Sequence, residues 1–120
     1  MVTRRQKLRL AAPVAVELKR EFRDAYERRA YLRAYLLSQR LLDNPALLGR
    51  GRAFLDRFVK PDPRQRRAYV MWTDALTLPV DKLVTQLLAD DARGAALRES
   101  APVFVVIPAE EIRALEKSAA

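Results

Sequence analysis

The sequence predicts an all-α protein, a compact bundle of about five to six helices with one long N-terminal helix and an extended segment near 102–107. Three observations lead to it. Apolar residues recur at spacings of three and four through most of the chain, prolines fall about a helix length apart, and only Pro102-Val103-Phe104-Val105-Val106-Ile107 has β-like composition.

Residues 1–12 (MVTRRQKLRLAA) are basic and precede Pro13, which reads as an N-terminal arm on a single domain spanning 1–120. Between Val14 and Leu42 there is neither proline nor glycine, so one helix over 14–42 is expected. Leu18, Phe22, Ala25, Tyr26, Leu32, Leu36, Leu37 and Leu41 share one side of it. Arg20–Asp24, Arg23–Glu27 and Asp24–Arg28 stand four apart as ion pairs on the wet side. Asp43-Asn44-Pro45, Pro61-Asp62-Pro63 and Leu78-Pro79 then mark three helix starts. Proline lacks the N–H that a first turn leaves unpaired, and a preceding Asn or Asp accepts bonds from the free N–H groups. The expected helices run over 45–59, 63–76 and 79–89. Asp90-Asp91 opens a short one through Leu97. Pro108 opens the last, where Glu110 and Glu111 complement the positive end of the dipole. The run 102–107 is either an extended core segment or an edge used by a partner. A lone strand has nothing to pair with, which favours the core segment.

Composition narrows the function. The chain is 50% apolar, enough for a continuous core, yet no apolar run approaches the roughly 20 residues that span a bilayer. Histidine and cysteine are both absent, which removes the usual proton-transfer group, thiolate nucleophiles and the commonest metal ligands. Carboxylate or Ser/Lys chemistry remains open, but no nucleophile motif is present. The expectation is therefore a non-enzyme with no cofactor and no metal. Thr3-Arg4-Arg5 resembles a twin-arginine start, but Arg9 and Glu17 interrupt any apolar stretch after it, so the expected location is the cytoplasm, away from membranes.

The net charge is +8, and residues 1–33 hold ten basic side chains against four acidic ones. Such a basic end suits nucleic acid, an acidic protein surface or an anionic membrane. Arg4, Arg5, Lys7 and Arg9 of the arm, with Lys19, Arg23 and Arg33, are placed to follow a phosphate backbone. For the helical members, a solvated face paired with its own acids explains the same pattern better. Arg64, Arg66 and Arg67 stand in a first helical turn, where each opposes the dipole at a cost of about 0.3–1 kcal/mol. With Lys60 they form a candidate anion site beside free N–H groups; simple tolerance, with Asp62 compensating, explains them equally well. Helices 45–59 and 63–76 also have the dimensions of a helix-turn-helix, which would turn Arg64, Gln65, Arg67 and Tyr69 to base edges.

Gly49 and Gly51 lie inside a helical pattern, and Gly51 falls where another helix can approach closely. The LGRG piece lacks the spacing of a phosphate loop. Trp72 and the Tyr26/Tyr31/Tyr35 set are stacking or hot-spot candidates, although residues at helical spacing are more often core. The pairs Asp90-Asp91 and Glu110-Glu111 read as helix caps rather than metal ligands.

The stretch 36–115 carries a further pattern. Leu41-Leu42-Asp43-Asn44-Pro45 with Leu47-Leu48 is followed by Trp72 and by Pro79-Val80 with Leu83 and Leu87-Leu88. Ala96-Leu97-Arg98-Glu99-Ser100-Ala101-Pro102-Val103-Phe104 then precedes Ile107-Pro108-Ala109-Glu110-Glu111. In these features the chain resembles small helical bacterial antitoxin-like proteins encoded beside putative nucleotidyltransferase-type toxins. It departs from them by Val103, inserted between Pro102 and Phe104, and its basic N-terminal section lies outside the likeness. The resemblance implies a protein that neutralises a partner toxin or enzyme, encoded by a neighbouring gene, through direct binding. Contacts are expected from Arg98, Ser100, Pro102 and Phe104, with Arg23 and Arg33 of the long helix. The alternative is a small basic DNA- or RNA-binding regulator using Arg4, Arg5, Lys7, Arg9, Arg64, Arg66 and Arg67.

Overall fold

The computed structural model describes residues 12–119. These form six α-helices and no strand. The arm residues Arg4, Arg5, Lys7 and Arg9 lie outside the described residues.

The first helix, α1, spans Ala25–Asp43 rather than 14–42. Its start is set by side-chain competition for backbone N–H groups. Asp24 is extended (φ −159°, ψ 178°), and its carboxylate accepts from the Glu27 N–H at 2.8 Å. The Glu27 carboxylate reaches back to the Arg23 N–H at 2.9 Å. This near capping box ends the helix at Asp24. The residues before it still serve the core: Val14, Val16, Leu18 and Phe22 pack against it from a non-helical path. Phe22 tilts against Tyr31 with ring centroids 5.5 Å apart. The Tyr31 hydroxyl accepts from the Lys19 N–H at 3.0 Å and donates to the Leu88 carbonyl at 2.7 Å, tying this segment to the helix of Leu88.

The expected surface pairs change accordingly. Arg20 precedes the helix, and Arg28 pairs with Glu116 at 2.8 Å instead of with Asp24. Of the three, only Arg23–Glu27 is close, at 3.9 Å. Tyr26, read from periodicity as part of the apolar side, faces out.

Helix α2, Leu47–Phe54, passes into a π-helical turn, Leu55–Val59, closed by the Lys60 N–H on the Leu55 carbonyl at 2.8 Å. Asp62 then caps a 3-10 turn, Pro63–Gln65, by accepting from the Arg64 N–H at 3.0 Å, and this leads into α3, Arg66–Ala75. α4 spans Val80–Leu88, α5 Ala92–Glu99 and α6 Ala109–Ala119. Asp91 caps α5 through the Gly94 N–H at 2.7 Å. The proline starts were legible, but only Asp62 among them caps with a side chain. The chain turns through Pro45-Ala46, so Asn44 lies too far back to cap α2.

α1 packs along α4, with α5 and α6 also against it, while α3 leans on the π turn and α5. Their buried seam joins Leu32, Leu41, Trp72, Leu83, Leu87 and Leu97. Each such side chain contributes about 1.5–3 kcal/mol by leaving water. The Trp72 indole donates to the Leu97 carbonyl at 3.2 Å, so burial leaves its N–H satisfied. Tyr31 and Tyr35 are buried as well.

Segment 101–108 runs against this core without forming a strand and bends at Phe104–Val105, with only Phe104 buried. Phe104 turns inward onto Gly51, where a Cβ would lie 3.2 Å from its ring. The close neighbours of Gly51 are thus this ring and the Leu76 side chain, not the flank of another helix. No described helix is long and apolar enough to cross a membrane.

Candidate functional site

Two surfaces stand out, one apolar and one basic. The first is a cleft of about 220 Å³ between α1 and the segment after α5. One wall is Tyr26, Arg33 and Leu37 of α1; the other is Val103, Val106 and Ile107. Three of the five exposed large hydrophobic residues among the described residues line it: Tyr26 at 69%, Val103 at 64% and Val106 at 76% exposure. Single exposed apolar residues are ordinary, whereas their convergence on one cleft marks a surface suited to contact.

The bend explains why these valines face out. Once Phe104 is committed to the core, Val103 before it and Val106 two residues on are turned away. Among the described residues, the backbone N–H groups of Val103 to Ile107 have no hydrogen-bond partner. These N–H groups thus lie outside the helical hydrogen-bond pattern, in a segment whose Val103 and Val106 side chains are exposed.

Arg98 forms the floor. Its Nη1 donates to the carbonyls of Leu87 at 2.9 Å and Ala89 at 2.8 Å, completing the C-terminal end of α4. Its guanidinium carbon stands 4.8 Å from the centroid of the Tyr31 ring. Burial pushes its pKa down, and burial likewise pushes the Tyr31 hydroxyl up. Arg98 thus lines the cleft while its hydrogen bonds are spent inside the protein. Arg33, by contrast, is exposed on the rim without a partner among the described residues.

The second surface is an open groove of about 780 Å³. Arg64 comes from the 3-10 turn, Arg66 and Arg67 from the start of α3, and Arg93 approaches from α5. Val70 and Met71 give it an apolar floor, and Asp74 is its one acid. Asp74 pairs with Arg93 at 3.6 Å, and Arg64 lies 3.4 Å from Asp62. Hydrogen bonds from the Gln65 side chain and the Arg64 N–H hold the Asp62 carboxyl below its usual range. Arg66 and Arg67 have no partner among the described residues.

The sequence-selected residues are distributed unevenly over these surfaces. Arg33, Arg98 and Pro102 meet at the cleft. Ser100 donates back to the Ala96 carbonyl at 2.7 Å, and Phe104 is core. Arg23 lies with Asp24 and Glu27. Lys19 bridges Glu27 and Asp90 at 3.2 and 2.9 Å, and the hydrogen bond to Asp90 raises its pKa against the opposing desolvation. Arg64, Arg66 and Arg67 share the groove, but Gln65 and Tyr69 do not line it. Tyr69 bonds Asp56 at 2.8 Å, and Lys60 lies over its ring. The sequence gives no site signal for Arg93, marks Val70 only as an apolar helix position, and includes Val106 in the 102–107 run that could serve as a partner edge. Only the packing of α5 on α3 brings Arg93 to the groove, so no local pattern marks it.

The described residues contain no group of three or more His, Cys, Asp or Glu side chains placed to hold a metal. Fold and surfaces together describe a small all-helical protein with, among the described residues, an apolar cleft and a basic groove. No family model, curated protein or solved structure matches the chain.

Proposed function

We propose that this protein acts by gripping a protein partner, in the antitoxin-like manner that the 36–115 pattern implies, neutralising a toxin or similar enzyme encoded beside it. The observation that carries the reading is the cleft, where Tyr26, Val103 and Val106 converge next to unpaired backbone N–H groups. Apolar area of this kind gains free energy when a partner covers it, at about 25 cal/mol per Å². The free N–H groups would be met by carbonyls of an extended partner segment, as in strand addition. Arg33 on the rim would favour an acidic neighbour to that segment. In this role the protein is not an enzyme, needs no cofactor or metal, and works in the cytoplasm.

Co-expression with the neighbour-encoded protein tests this. Tagged wild-type protein is expected to retain the untagged neighbour, and Val103→Asp with Val106→Asp is expected to release it while leaving the helical circular dichroism unchanged. Failure of the wild type to retain it would remove the reading.

A further inference from the structure

We infer that the groove between α3 and α5 is a binding surface for the phosphate backbone of a DNA duplex. Its lining includes four guanidinium groups from three elements, Arg64 of the 3-10 turn with Arg66 and Arg67 of α3 on one side and Arg93 of α5 on the other. Against them the groove holds a single carboxylate, Asp74, already engaged by Arg93. Arg66 and Arg67 are left without partners among the described residues.

A second observation is independent of the groove's shape. α3 has no acidic residue in its first turn and no side-chain cap at its own N-cap, Gln65. Arg66 and Arg67 there add positive charge to the positive end of the dipole. Asp62 compensates one turn earlier, but it is spent on Arg64 and Gln65. An external anion in the groove would neutralise what the fold leaves uncompensated. Arginine is the side chain that grips phosphate oxygens in a planar, bidentate way.

The occupant follows from the remaining lining. Val70, 61% exposed, and Met71 floor the groove, and no aromatic ring lines it. Unpaired bases, which bind by stacking on aromatic faces, find no platform here. A duplex backbone needs none, because counterion release supplies the affinity. This surface does not involve the cleft, so the two readings stand or fall separately.

Fluorescence anisotropy with a labelled mixed-sequence DNA duplex tests the inference, using the full-length protein over a range of salt. Arg66→Glu with Arg67→Glu is the informative variant, since acids in a first helical turn favour the helix and do not threaten folding. Arg29→Glu with Lys82→Glu makes the same change in net charge elsewhere. The expected result is salt-steep binding by wild type, at least about tenfold weaker in the Arg66/Arg67 variant. The slope of log K against log salt should be shallower there by about 1.8, or two lost phosphate contacts. The Arg29/Lys82 variant should keep the wild-type slope. An equal loss in both variants, an unchanged slope in the Arg66/Arg67 variant, or tighter binding of a single strand or of polyglutamate would overturn the assignment.

Discussion

Removing a guanidinium from water is costly unless hydrogen bonds and ring contacts replace its hydration, and Arg98 shows both. Its two carbonyl partners, Leu87 and Ala89, lie where α4 ends, and Tyr31 supplies the ring. Arg98→Met keeps most of the stem volume and strands those carbonyls. It is expected to lower stability by about 1.5–3 kcal/mol, read as a lower urea midpoint. Gly94 and Gly49 differ in what surrounds them. A Cβ at Gly94 would run into the Ala89 carbonyl oxygen and lie 2.9 Å from Arg98 Nη1, whereas at Gly49 it would meet nothing within 4 Å. Gly94→Ala should therefore destabilise by about 1–3 kcal/mol, and Gly49→Ala, within α2, should stabilise by up to about 1 kcal/mol. Thermal melts of the two variants should shift in opposite directions. The sequence singled out Gly49 and Gly51 but not Gly94, because the obstacle there is a backbone carbonyl brought near by the turn into α5.

Among the elements, α1 is the most instructive. Its capping depends on ionised carboxylates. The hydrogen bond from the Glu27 N–H is the leading cause that lowers the Asp24 pKa in the folded protein. A lowered folded value means that the stabilisation is complete above the unfolded pKa and fades as pH falls through the folded one. Asp24→Ala should thus have a lower urea midpoint than wild type at neutral pH, and the difference should close in acid below the ordinary aspartate range. The start at Asp24 was written in the Asp24-x-x-Glu27 spacing, but the uninterrupted apolar rhythm from Leu18 to Leu41 masked it. Leu18 and Phe22 are apolar because they pack on the core from an extended path, and packing of that sort cannot be told from helical periodicity. Where capping residue and proline coincide, as at Asp62-Pro63, or an aspartate marks a start without a proline, as Asp91 of the Asp90-Asp91 pair does, sequence and structure agree. The π turn at Leu55–Val59 had no signal of its own. The basic residues of α3 and the 102–107 run stand out in the sequence, but Arg93 joins its surface through tertiary packing, which no window of sequence contains.

Across the whole molecule, acidic side chains are concentrated where they close internal contacts. Glu111 holds Arg40 at 2.6 Å, Glu116 holds Arg28, and Asp90 with Glu27 holds Lys19. Arg66 and Arg67 at the groove and Arg33 at the cleft rim remain outward, without acidic partners among the described residues. Binding through either face should weaken with salt, more steeply at the groove, where more charges converge. The most direct measurement of the proposed grip is amide hydrogen exchange, with and without the neighbour-encoded protein. Val103 to Ile107 should exchange fast alone and become strongly protected in the complex, together with the Tyr26 end of α1. Protection confined to other helices, with 103–107 exchanging as before, would contradict it.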